Sequence, residues 1–451
     1  MPQSKLSLPA WRSQTIFVLA AVGSAVGLGN LWKFPYITGE HGGAAFVLVY
    51  LLCIAAVGLP ILIAEITLGR AGGANPPQAM ARLARQSHAS RWWTLLGVNG
   101  VLGGLFILSF YSVIAGWGLA YFVDSLQGGF AQMDASAAQK HFDQLVASPI
   151  GLVFWHTLIM LATVLIVLRG VRGGIERAIN VLMPGLLVIL LILFGYALTL
   201  PAFSQSFAFL FTPDFSKLSS ESILVALGHA FFTLSLGFGT MMVYGSYLPP
   251  SFSIVRATLW IIVADTVIAL LAGLVIFTIV FNHGLSPSAG PGLLFQTLPI
   301  AFGQLQWGAL LSGLFFAMVV IAALSSAISM MEPGLSWLEQ HWGWSRPFGA
   351  SVLGGLVWLL GAASALAFNH WQSVTLIGER TIFESMDFLT SSLMLPLGGL
   401  MTAVFVGWVW QTQTRDQAIG LAPALSRPYA VLVKWVAPTL VAVVFVNNLL
   451  F

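Results

Sequence analysis

The chain has 451 residues, 58% of them hydrophobic and only 7% charged, with a formal net charge of +3. Soluble domains carry about one quarter charged residues, so this composition excludes a soluble globular protein and predicts a polytopic membrane protein. The single cysteine, Cys53, lies in an apolar run, which excludes disulfides and thiolate metal sites within one chain.

Eleven apolar runs are each long enough to cross a membrane as a helix, which needs about 20 residues. Three longer connections lie outside, at about 124–148, 200–220 and 282–306. Within the last, 286–303 reads equally well as a hairpin that caps an outer vestibule or as an ordinary connector. The sequence thus predicts an all-α membrane protein with eleven transmembrane helices. They lie at about 14–38, 43–69, 94–123, 149–168, 174–199, 221–247, 255–281, 307–338, 348–368, 380–410 and 429–450.

Lys and Arg residues collect on one side of the predicted membrane. If the N-terminus is inside, fourteen of the eighteen Lys and Arg residues fall in the inner segments and their flanks. Cytoplasmic segments of membrane proteins carry the excess of Lys and Arg. The sequence therefore predicts a cytoplasmic N-terminus and, with eleven spans, a C-terminus on the outside.

Two segments place several glycines within apolar runs. The first, Gly-Ser-Ala-Val-Gly-Leu-Gly-Asn, occupies 23–30, and the second, Ser-Leu-Gly-Phe-Gly, occupies 235–239. Each glycine costs about 1 kcal/mol against Ala in a helix interior, and unwound backbone at membrane depth occurs only where it is buried in protein or lines a cavity. Because paired broken helices in two halves indicate a transporter's binding site, these segments predict a carrier of a small solute.

The first of these segments, extended to 23–35, resembles the first-helix signature of the neurotransmitter:sodium symporters. Other motifs of this family match along the chain from about Trp11 to its end. Each motif alone would be weak, but together they are specific. They are Glu-His-Gly-Gly-Ala-Ala-Phe at 40–46, Gly-Leu-Pro at 58–60 with Glu65 and Gly69-Arg70, Arg-Gly-Gly-Ile-Glu-Arg at 172–177, Phe-Phe-Thr-Leu-Ser-Leu-Gly-Phe-Gly at 231–239, Ala-Ala-Leu-Ser-Ser at 322–326 and Met386-Asp387.

The resemblance implies the LeuT fold, in which two inverted repeats of five helices carry breaks in helices 1 and 6. It implies one membrane transport domain over 1–451, with repeat one at about 14–199, repeat two at about 221–410 and an extra helix at about 429–450. It also implies the inner membrane of a bacterium as the location. The implied partners are Na⁺, an amino acid and the lipid bilayer, with no nucleic acid, no organic cofactor, and a monomer or weak oligomer. No catalytic set of side chains is visible in the spans, which disfavours an enzyme.

Sodium is a hard cation that needs a cage of oxygens, and broken helices expose carbonyls that can supply one. The resemblance implies two such sites. The first would use the Ala25 carbonyl, Asn30, Thr233, Asp265 and the substrate carboxylate. The second would use the carbonyls of Gly23, Val26 and Ala322 with the hydroxyls of Ser325 and Ser326. From the residues alone, the two serines are equally well explained as a pair that lets helices pack closely.

The carboxylates of Glu65 and Asp265 are among those that lie within predicted spans, and Asp265 lies near the middle of one. Such groups are costly there and indicate a function, although simple pairing with a neighbour is the alternative. In the family, members that need chloride have a neutral residue at the position of Asp265. Members that do not need chloride carry an acid there or one turn later, where this chain has Ala269. The resemblance therefore implies chloride-independent transport, and Glu65 is expected to accept backbone N–H bonds from the unwound segments.

His229 stands where family members often have Gln, and the resemblance places it close to Tyr50 and Asp265. An imidazole beside a carboxylate titrates near neutral pH. His229 and Asp265 are therefore candidates for proton counter-transport, and a purely structural, hydrogen-bonded histidine is the alternative.

The freed N–H groups of the first break and the start of the next half-helix attract a carboxylate. The resemblance implies that a substrate carboxylate meets Val26, Gly27 and Leu28, with the Tyr111 hydroxyl opposite. Monoamine carriers of the family have Asp at the position of Gly27. Since glycine leaves room for a carboxylate brought by the substrate, an α-amino acid is the expected cargo.

The resemblance also implies where the rest of the amino acid lies. Carbonyls near Ala25, Phe232 and Ser235 would accept from its ammonium group. The implied side-chain pocket contains no charged group, and burying an unpaired charge is costly, so neutral apolar side chains are favoured. The pocket would be lined by Ile107, Phe232, Phe238, Ser326 and Met330.

Lys33 and Asp387 match the outer gate of the family, which usually has Arg in place of Lys. Because Lys cannot form a bidentate fork with a carboxylate, the gate is expected to be looser or bridged by water. At the inner gate the usual cation is replaced by Leu8 and its acidic partner by Gln340, with Glu339 adjacent. The alternative inner cations are Lys5 and Arg12.

Three functions stay open on this sequence. The first is Na⁺-coupled import of neutral amino acids. The second is a carrier of the same fold that is driven by protons, for which Asp265 and His229 would matter most. The third is a membrane sensor that binds an amino acid without moving it. Replacing sodium by choline separates the first two, and solute accumulation separates both from the third.

Overall fold

The computed structural model of the chain describes residues 9–288, 290 and 292–450. Nearly all regular structure in these residues is helical, as the apolar runs predict. Each π-helical turn is counted here into the helix that it continues. The first helices are α1 (Gln14–Ala25), α2 (Gly29–Glu40), α3 (Ala44–Gly72), α4 (Pro76–Gln86), α5 (Arg91–Leu126), α6 (Ala135–Ala147), α7 (Pro149–Val167), α8 (Val171–Ala197) and α9 (Phe203–Phe211).

The chain continues with helices and a small antiparallel hairpin of β1 (Thr375–Ile377) and β2 (Arg380–Thr381). The predicted span at 380–410 therefore begins as a strand and becomes helical at Ile382. The remaining helices are α10 (Ser220–Thr233), α11 (Thr240–Ser246), α12 (Ile254–Asn282), α13 (Leu293–Gly303), α14 (Gly308–Trp342), α15 (Arg346–Leu366), α16 (Ile382–Val409), α17 (Thr412–Ile419) and α18 (Pro423–Leu449).

Nine helices of the described residues are long and apolar enough to cross a membrane, and the bent pair α1–α2 makes ten. The predicted span at 221–247 is divided into α10, with 14 residues, and α11, with 7. Neither half is long enough to cross alone. The count of eleven therefore stays a prediction, which requires α10 and α11 to cross together as one broken span.

Burial separates central from peripheral helices. In α5 and α14, 72% of the most apolar stretch is buried, whereas the share is 28% in α8 and in α18. Helices α5 and α14 therefore form the centre of the bundle. Helices α8 and α18 present apolar side chains outwards, as helices beside lipid do.

Both glycine segments break their helices. The axes of α1 and α2 differ by 51°, and Val26 between them is extended, with φ −73° and ψ 100°. Between α10 and α11, Ser235, Gly237 and Gly239 have φ of 52°, 81° and 71°. The two glycines adopt this left-handed backbone at no steric cost, whereas Ser235 is strained in it. The local sequence thus explains both breaks.

The outer connections contain more structure than the hydrophobic runs predict. Helices α6, α9 and α13 lie within the connections at 124–148, 200–220 and 282–306. The predicted hairpin at 286–303 contains α13, which is preceded by a loop whose Ser288 hydroxyl donates to the Gly39 carbonyl at the end of α2, at 2.9 Å. The segment thus touches the outer end of the first span, and its role as a cap stays a prediction.

Helix α11 packs backbone to backbone against the inner half of α3. A Cβ added to Gly69 would collide with the Met242 carbonyl, and one added to Gly245 would collide with the Ile66 carbonyl. Small residues allow such close approach of membrane helices. The half-helix after the second break is therefore fixed in position by α3.

Candidate substrate and ion site

The two breaks meet near the centre of the bundle. The Ser235 hydroxyl of the second break donates to the Ser24 carbonyl of the first, at 2.9 Å. Glu65 of α3 accepts from the Gly237 N–H at 2.7 Å, which confirms that this carboxylate braces an unwound segment. Freed backbone groups of both breaks therefore face one another in a buried region.

The first predicted sodium cage gathers around Asp265, which is fully buried. Asn30 donates its side-chain amide to the carboxylate at 2.8 Å, and the Thr233 hydroxyl donates to it at 3.1 Å. The Asn30 side-chain oxygen accepts from the Gly27 N–H at 3.2 Å. The Ala25 carbonyl ends α1 just before this turn, and its part in the cage stays a prediction.

No Lys, Arg or His of the described residues lies within 4.0 Å of the Asp265 carboxylate to form an ion pair. A buried carboxylate with only neutral donors around it carries a large desolvation cost. A small cation held by these oxygens would offset that cost. The arrangement is therefore chemically suited to bind Na⁺.

The second predicted cage gathers where α14 passes the first break. The Ser326 hydroxyl lies 3.4 Å from the Gly23 carbonyl and 3.5 Å from the Val26 carbonyl. The hydroxyl of the preceding residue, Ser325, donates to the Ala322 carbonyl one turn earlier at 2.9 Å. The structure thus brings the five predicted residues to one region, and their role as sodium ligands stays a prediction.

Two residues of this region escaped the sequence analysis. The Ser24 carbonyl lies 3.2 Å from the Ser326 hydroxyl, and Ser329 donates its hydroxyl to that of Ser24 at 2.8 Å. The signal was present, because Ser329 follows Ser326 by three residues and therefore shares its helix face. Both serines are buried.

Two hydroxyl groups, those of Tyr111 and Ser326, pack closely around Gly27. The Tyr111 hydroxyl accepts from the Leu28 N–H at 3.1 Å. A Cβ on Gly27 would lie 2.5 Å from the Ser326 hydroxyl oxygen and 2.7 Å from that of Tyr111. Any larger residue at 27 would therefore displace these hydroxyls. That the Tyr111 hydroxyl meets a substrate carboxylate stays a prediction.

The predicted apolar lining residues lie on α5, α10 and α14 and in the second break. The rings of Phe232 and Phe238 approach edge to face, with centroids 6.4 Å apart. Gly104 of α5 packs against the backbone of Phe238 and Met330, and Ile107 lies one turn further on the same face of α5. Ile107, Phe238 and Met330 are buried. Their role as a side-chain pocket stays a prediction.

The two outer gate residues face one cavity without touching. Lys33 and Asp387 both line a cavity of about 690 Å³, but no ion pair of 4.0 Å or less joins them in the described chain. The Lys33 ammonium lies 4.7 Å from the ring centre of Phe232. Asp387 accepts from the Ser391 hydroxyl at 2.7 Å. This conformation has an open outer pair.

His229 is buried at the base of the same cavity. Its ring lies 5.2 Å from that of Tyr50 and 6.0 Å from that of Phe34, measured between centroids. Neither ring nitrogen has a hydrogen-bond partner in the described protein. The predicted proximity to Tyr50 is present, but His229 makes no hydrogen bond to Asp265, so any proton exchange between them would need an intermediary.

At the predicted inner gate, Arg12, Glu339 and Gln340 are each bonded to other residues. Arg12 pairs with Glu176 at 3.4 Å, Glu339 pairs with Arg346 at 3.1 Å, and Gln340 accepts from the Asn75 amide at 2.9 Å. The expectation that Arg12 replaces the missing cation beside 339–340 is therefore wrong, because each group is bonded elsewhere. Lys5 and Leu8 lie outside the described residues.

Instead, Trp11 fastens the start of α1 to the end of α11. Its backbone N–H donates to the Tyr247 carbonyl at 3.1 Å, and its indole N–H donates to the Tyr244 carbonyl at 3.0 Å. The indole is 2% exposed and meets the Tyr244 ring edge to face, with centroids 5.1 Å apart. These bonds join the residues before the first span to the half-helix that follows the second break.

The model of the sodium:neurotransmitter symporter family matches residues 9–144 and 139–451. An uncharacterized sodium-dependent transporter of Bacillus subtilis, YhdH, is 38% identical over 396 residues, which cover 88% of this chain and 87% of that protein. An uncharacterized sodium-dependent transporter of Haemophilus influenzae is 32% identical over 447 residues, with 97% and 98% covered.

A solved structure agrees with these matches. The crystal structure of MhsT in complex with L-phenylalanine is similar to this chain with a TM-score of 0.89 and 41% sequence identity, and the likeness covers 98% of this chain and 99% of that one. The family model matches nearly the whole chain, and the fold has two broken helices beside a buried carboxylate. The chain therefore belongs to the sodium:neurotransmitter symporter family of LeuT-fold membrane transporters, and it is not an enzyme.

Proposed function

We propose that the chain is a secondary active transporter that couples Na⁺ entry to the import of neutral, mainly hydrophobic L-amino acids by alternating access. The observation that carries this proposal is the buried Asp265 carboxylate, which meets Asn30 and Thr233 and has no cation beside it among the described residues. A Na⁺ ion would supply the missing charge. Asn30 contacts both Asp265 and the Gly27 N–H. Ion binding at Asp265 and substrate binding beside Gly27 would therefore support one another.

An α-amino acid fits the polar groups beside the first break. Its carboxylate would meet the N–H groups of Val26, Gly27 and Leu28 and the Tyr111 hydroxyl, while its ammonium would meet carbonyls near Ala25, Phe232 and Ser235. The proposed side-chain lining contains only apolar and hydroxyl groups, which favours neutral substrates. The complex of the similar protein MhsT with L-phenylalanine supports this substrate class.

Transport is proposed to proceed without chloride. In this account Asp265 provides the negative charge that balances the bound cation, so no anion has to enter the site. Two sodium sites are proposed, one at Asp265 and one at Ser325 and Ser326. If uptake at constant sodium stopped when chloride was replaced by gluconate, this part of the proposal would fail.

The proposed location is the inner membrane of a bacterium, with the N-terminus in the cytoplasm and the C-terminus outside. The excess of Lys and Arg in the predicted inner segments supports this orientation. A monomer or weak oligomer is proposed as the working unit. Cysteine labelling from either side of the membrane, at single positions in the connections, would test the topology.

The function is tested with purified protein in liposomes. Uptake of labelled leucine, phenylalanine and tryptophan is measured with an inward Na⁺ gradient, and with choline in place of Na⁺ as the control. Accumulation that requires Na⁺ is the expected result. Accumulation that ignores Na⁺ and follows a pH gradient would favour the proton-driven carrier, with Asp265 and His229 as its groups. Saturable binding without accumulation would favour a sensor.

A further inference from the structure

Arg70, near the end of α3, bonds to two different inner segments at once. One guanidinium N–H donates to the Phe252 carbonyl at 2.7 Å, and another donates to the Ala418 carbonyl at 2.6 Å. Phe252 lies in the connection 247–253 between α11 and α12, whereas Ala418 lies in the last turn of α17. The planar guanidinium suits such a bridge, because its donors point in fixed directions.

The connection 247–253 is also where the start of the first span is held. Its Tyr247 carbonyl accepts from the Trp11 backbone N–H at 3.1 Å. At its other end, the Ser253 carbonyl accepts from the Gln14 side chain at 3.1 Å. Arg70 therefore holds the connection 247–253 at Phe252. The carbonyls at the two ends of this connection accept hydrogen bonds from residues at the start of the first span.

We infer that Arg70 is a positioning residue that keeps the inner side closed, because it fastens the connection 247–253 to α17 and so holds the acceptors of Trp11 and Gln14 in place. The inference rests on the alternating access of the proposed function, in which α1 must leave these carbonyls before the site opens inwards. Without Arg70 the connection is held by fewer bonds, and the inward-open state becomes more populated.

Two reporter cysteines test this inference in a Cys53→Ala background, which removes the single native thiol. Ser336→Cys reports the inner side: Ser336 is buried one turn from Glu332 on the same face of α14, and Glu332 accepts from the Tyr247 hydroxyl at 2.9 Å. Ser392→Cys reports the outer side, because Ser392 lines the outer cavity. Each is labelled in choline buffer with a charged, membrane-impermeant thiol reagent, so the result does not depend on sodium binding.

Arg82→Ala is the matched control for Arg70→Ala. Arg82 also donates to two carbonyls near the end of α3, those of Gly72 and Gly73 at 3.0 and 2.9 Å, but both are local to that connection. We expect Arg70→Ala to label Ser336→Cys about tenfold faster, since two charge-assisted hydrogen bonds are lost. Labelling of Ser392→Cys should become slower, and Arg82→Ala should change neither rate.

Arg70→Lys separates positioning from folding. A single ammonium keeps the charge but cannot serve both carbonyls in the same geometry, so an intermediate inner rate is expected. Equal inner rates in Arg70→Ala and Arg82→Ala would overturn the inference. Faster labelling at both reporters would also overturn it, because that result means general loosening. A wild-type protein without Na⁺-dependent uptake would refute the proposed function, yet it would leave these labelling rates informative.

Discussion

The ends of the molecule that are predicted to lie inside and outside differ in the contacts that hold them. At the inner end, the buried Trp11 donates two hydrogen bonds to backbone carbonyls, and Arg346 pairs with the buried Glu332. At the outer end, Lys33 and Asp387 border a cavity of about 690 Å³ and make no ion pair with each other. The inner end is held by short buried bonds, whereas the outer gate residues remain apart.

The two ends therefore differ in how many bonds must break before each can open. The inner contacts join α1, α11 and α14, and breaking them would remove several hydrogen bonds together. Among the described residues no ion pair joins Lys33 and Asp387, and the Lys33 ammonium lies 4.7 Å from the centre of the Phe232 ring. The substitutions below alter the shared centre first, then each end.

Asp265→Asn removes the buried negative charge that is proposed to hold Na⁺ between the two ends. We expect Na⁺-dependent uptake to fall at least about 100-fold, because removing one partner of a buried charge pair costs about 3–5 kcal/mol. Initial uptake rates measure the effect. Asp214→Asn is the control, since this exposed outer carboxylate pairs only with exposed groups. Unchanged uptake in Asp265→Asn would show that the cation binds elsewhere.

Gly27→Ala crowds two hydroxyl groups that lie beside the first break. The added methyl would lie 2.5 Å from the Ser326 hydroxyl and 2.7 Å from that of Tyr111. Overpacking of this kind costs about 1–3 kcal/mol, so amino-acid affinity should fall about tenfold or more. Equilibrium binding of labelled phenylalanine measures this. Gly185→Ala is the control, because a Cβ there meets no heavy atom within 4 Å, and an equal loss in both variants would count against the assigned pocket.

Trp11→Phe weakens the inner contacts and removes no contact of the outer gate residues. The variant keeps an aromatic ring but loses the indole N–H bond to Tyr244. Since such a bond contributes about 1 kcal/mol, labelling of the Ser336→Cys reporter should be about fivefold faster. Trp92→Phe, at a site that is 76% exposed, should have no effect. An unchanged inner rate in Trp11→Phe would mean that this bond does not hold the inner side closed.

Lys33→Arg sharpens the comparison by strengthening the outer end. A guanidinium can form two parallel hydrogen bonds with Asp387, which an ammonium cannot. Labelling of the Ser392→Cys reporter should become about threefold slower, because the outer pair now closes more often. Lys217→Arg is the control. Lys217 is an exposed lysine whose ammonium lies 3.7 Å from the exposed carboxylate of Asp214. Equal rates in wild type and Lys33→Arg would remove Lys33 from the gate.

Local signals in the sequence predicted both breaks. Clustered glycines disfavour a continuous helix, and the backbone is non-helical at Gly27, Gly237 and Gly239, whereas Gly29 begins α2. The apolar runs likewise predicted the helices, because burial in lipid needs only composition and length. The hairpin at β1 and β2 was not predicted, since three and two residues are too few to give an alternating pattern.

Pairing across the chain was harder to predict than the helices. Arg12 was considered for a partner near Gln340, but it bonds to Glu176, which is 164 residues away in sequence. Nothing in the local sequence of either residue specifies that contact; it depends on how α1 and α8 pack. The Asp265 cluster was found only because the family resemblance aligned its members. Residue types indicated functional groups, and only the fold determined their partners.

Binding of labelled L-phenylalanine to the purified wild-type protein, measured across a Na⁺ titration at constant ionic strength with choline, tests the central claim most directly. The account predicts saturable binding that requires Na⁺, with an apparent Na⁺ affinity that rises as phenylalanine is raised, because coupling between two sites is reciprocal. Equal phenylalanine binding in Na⁺ and in choline would contradict a cation site at Asp265 that is linked to the substrate.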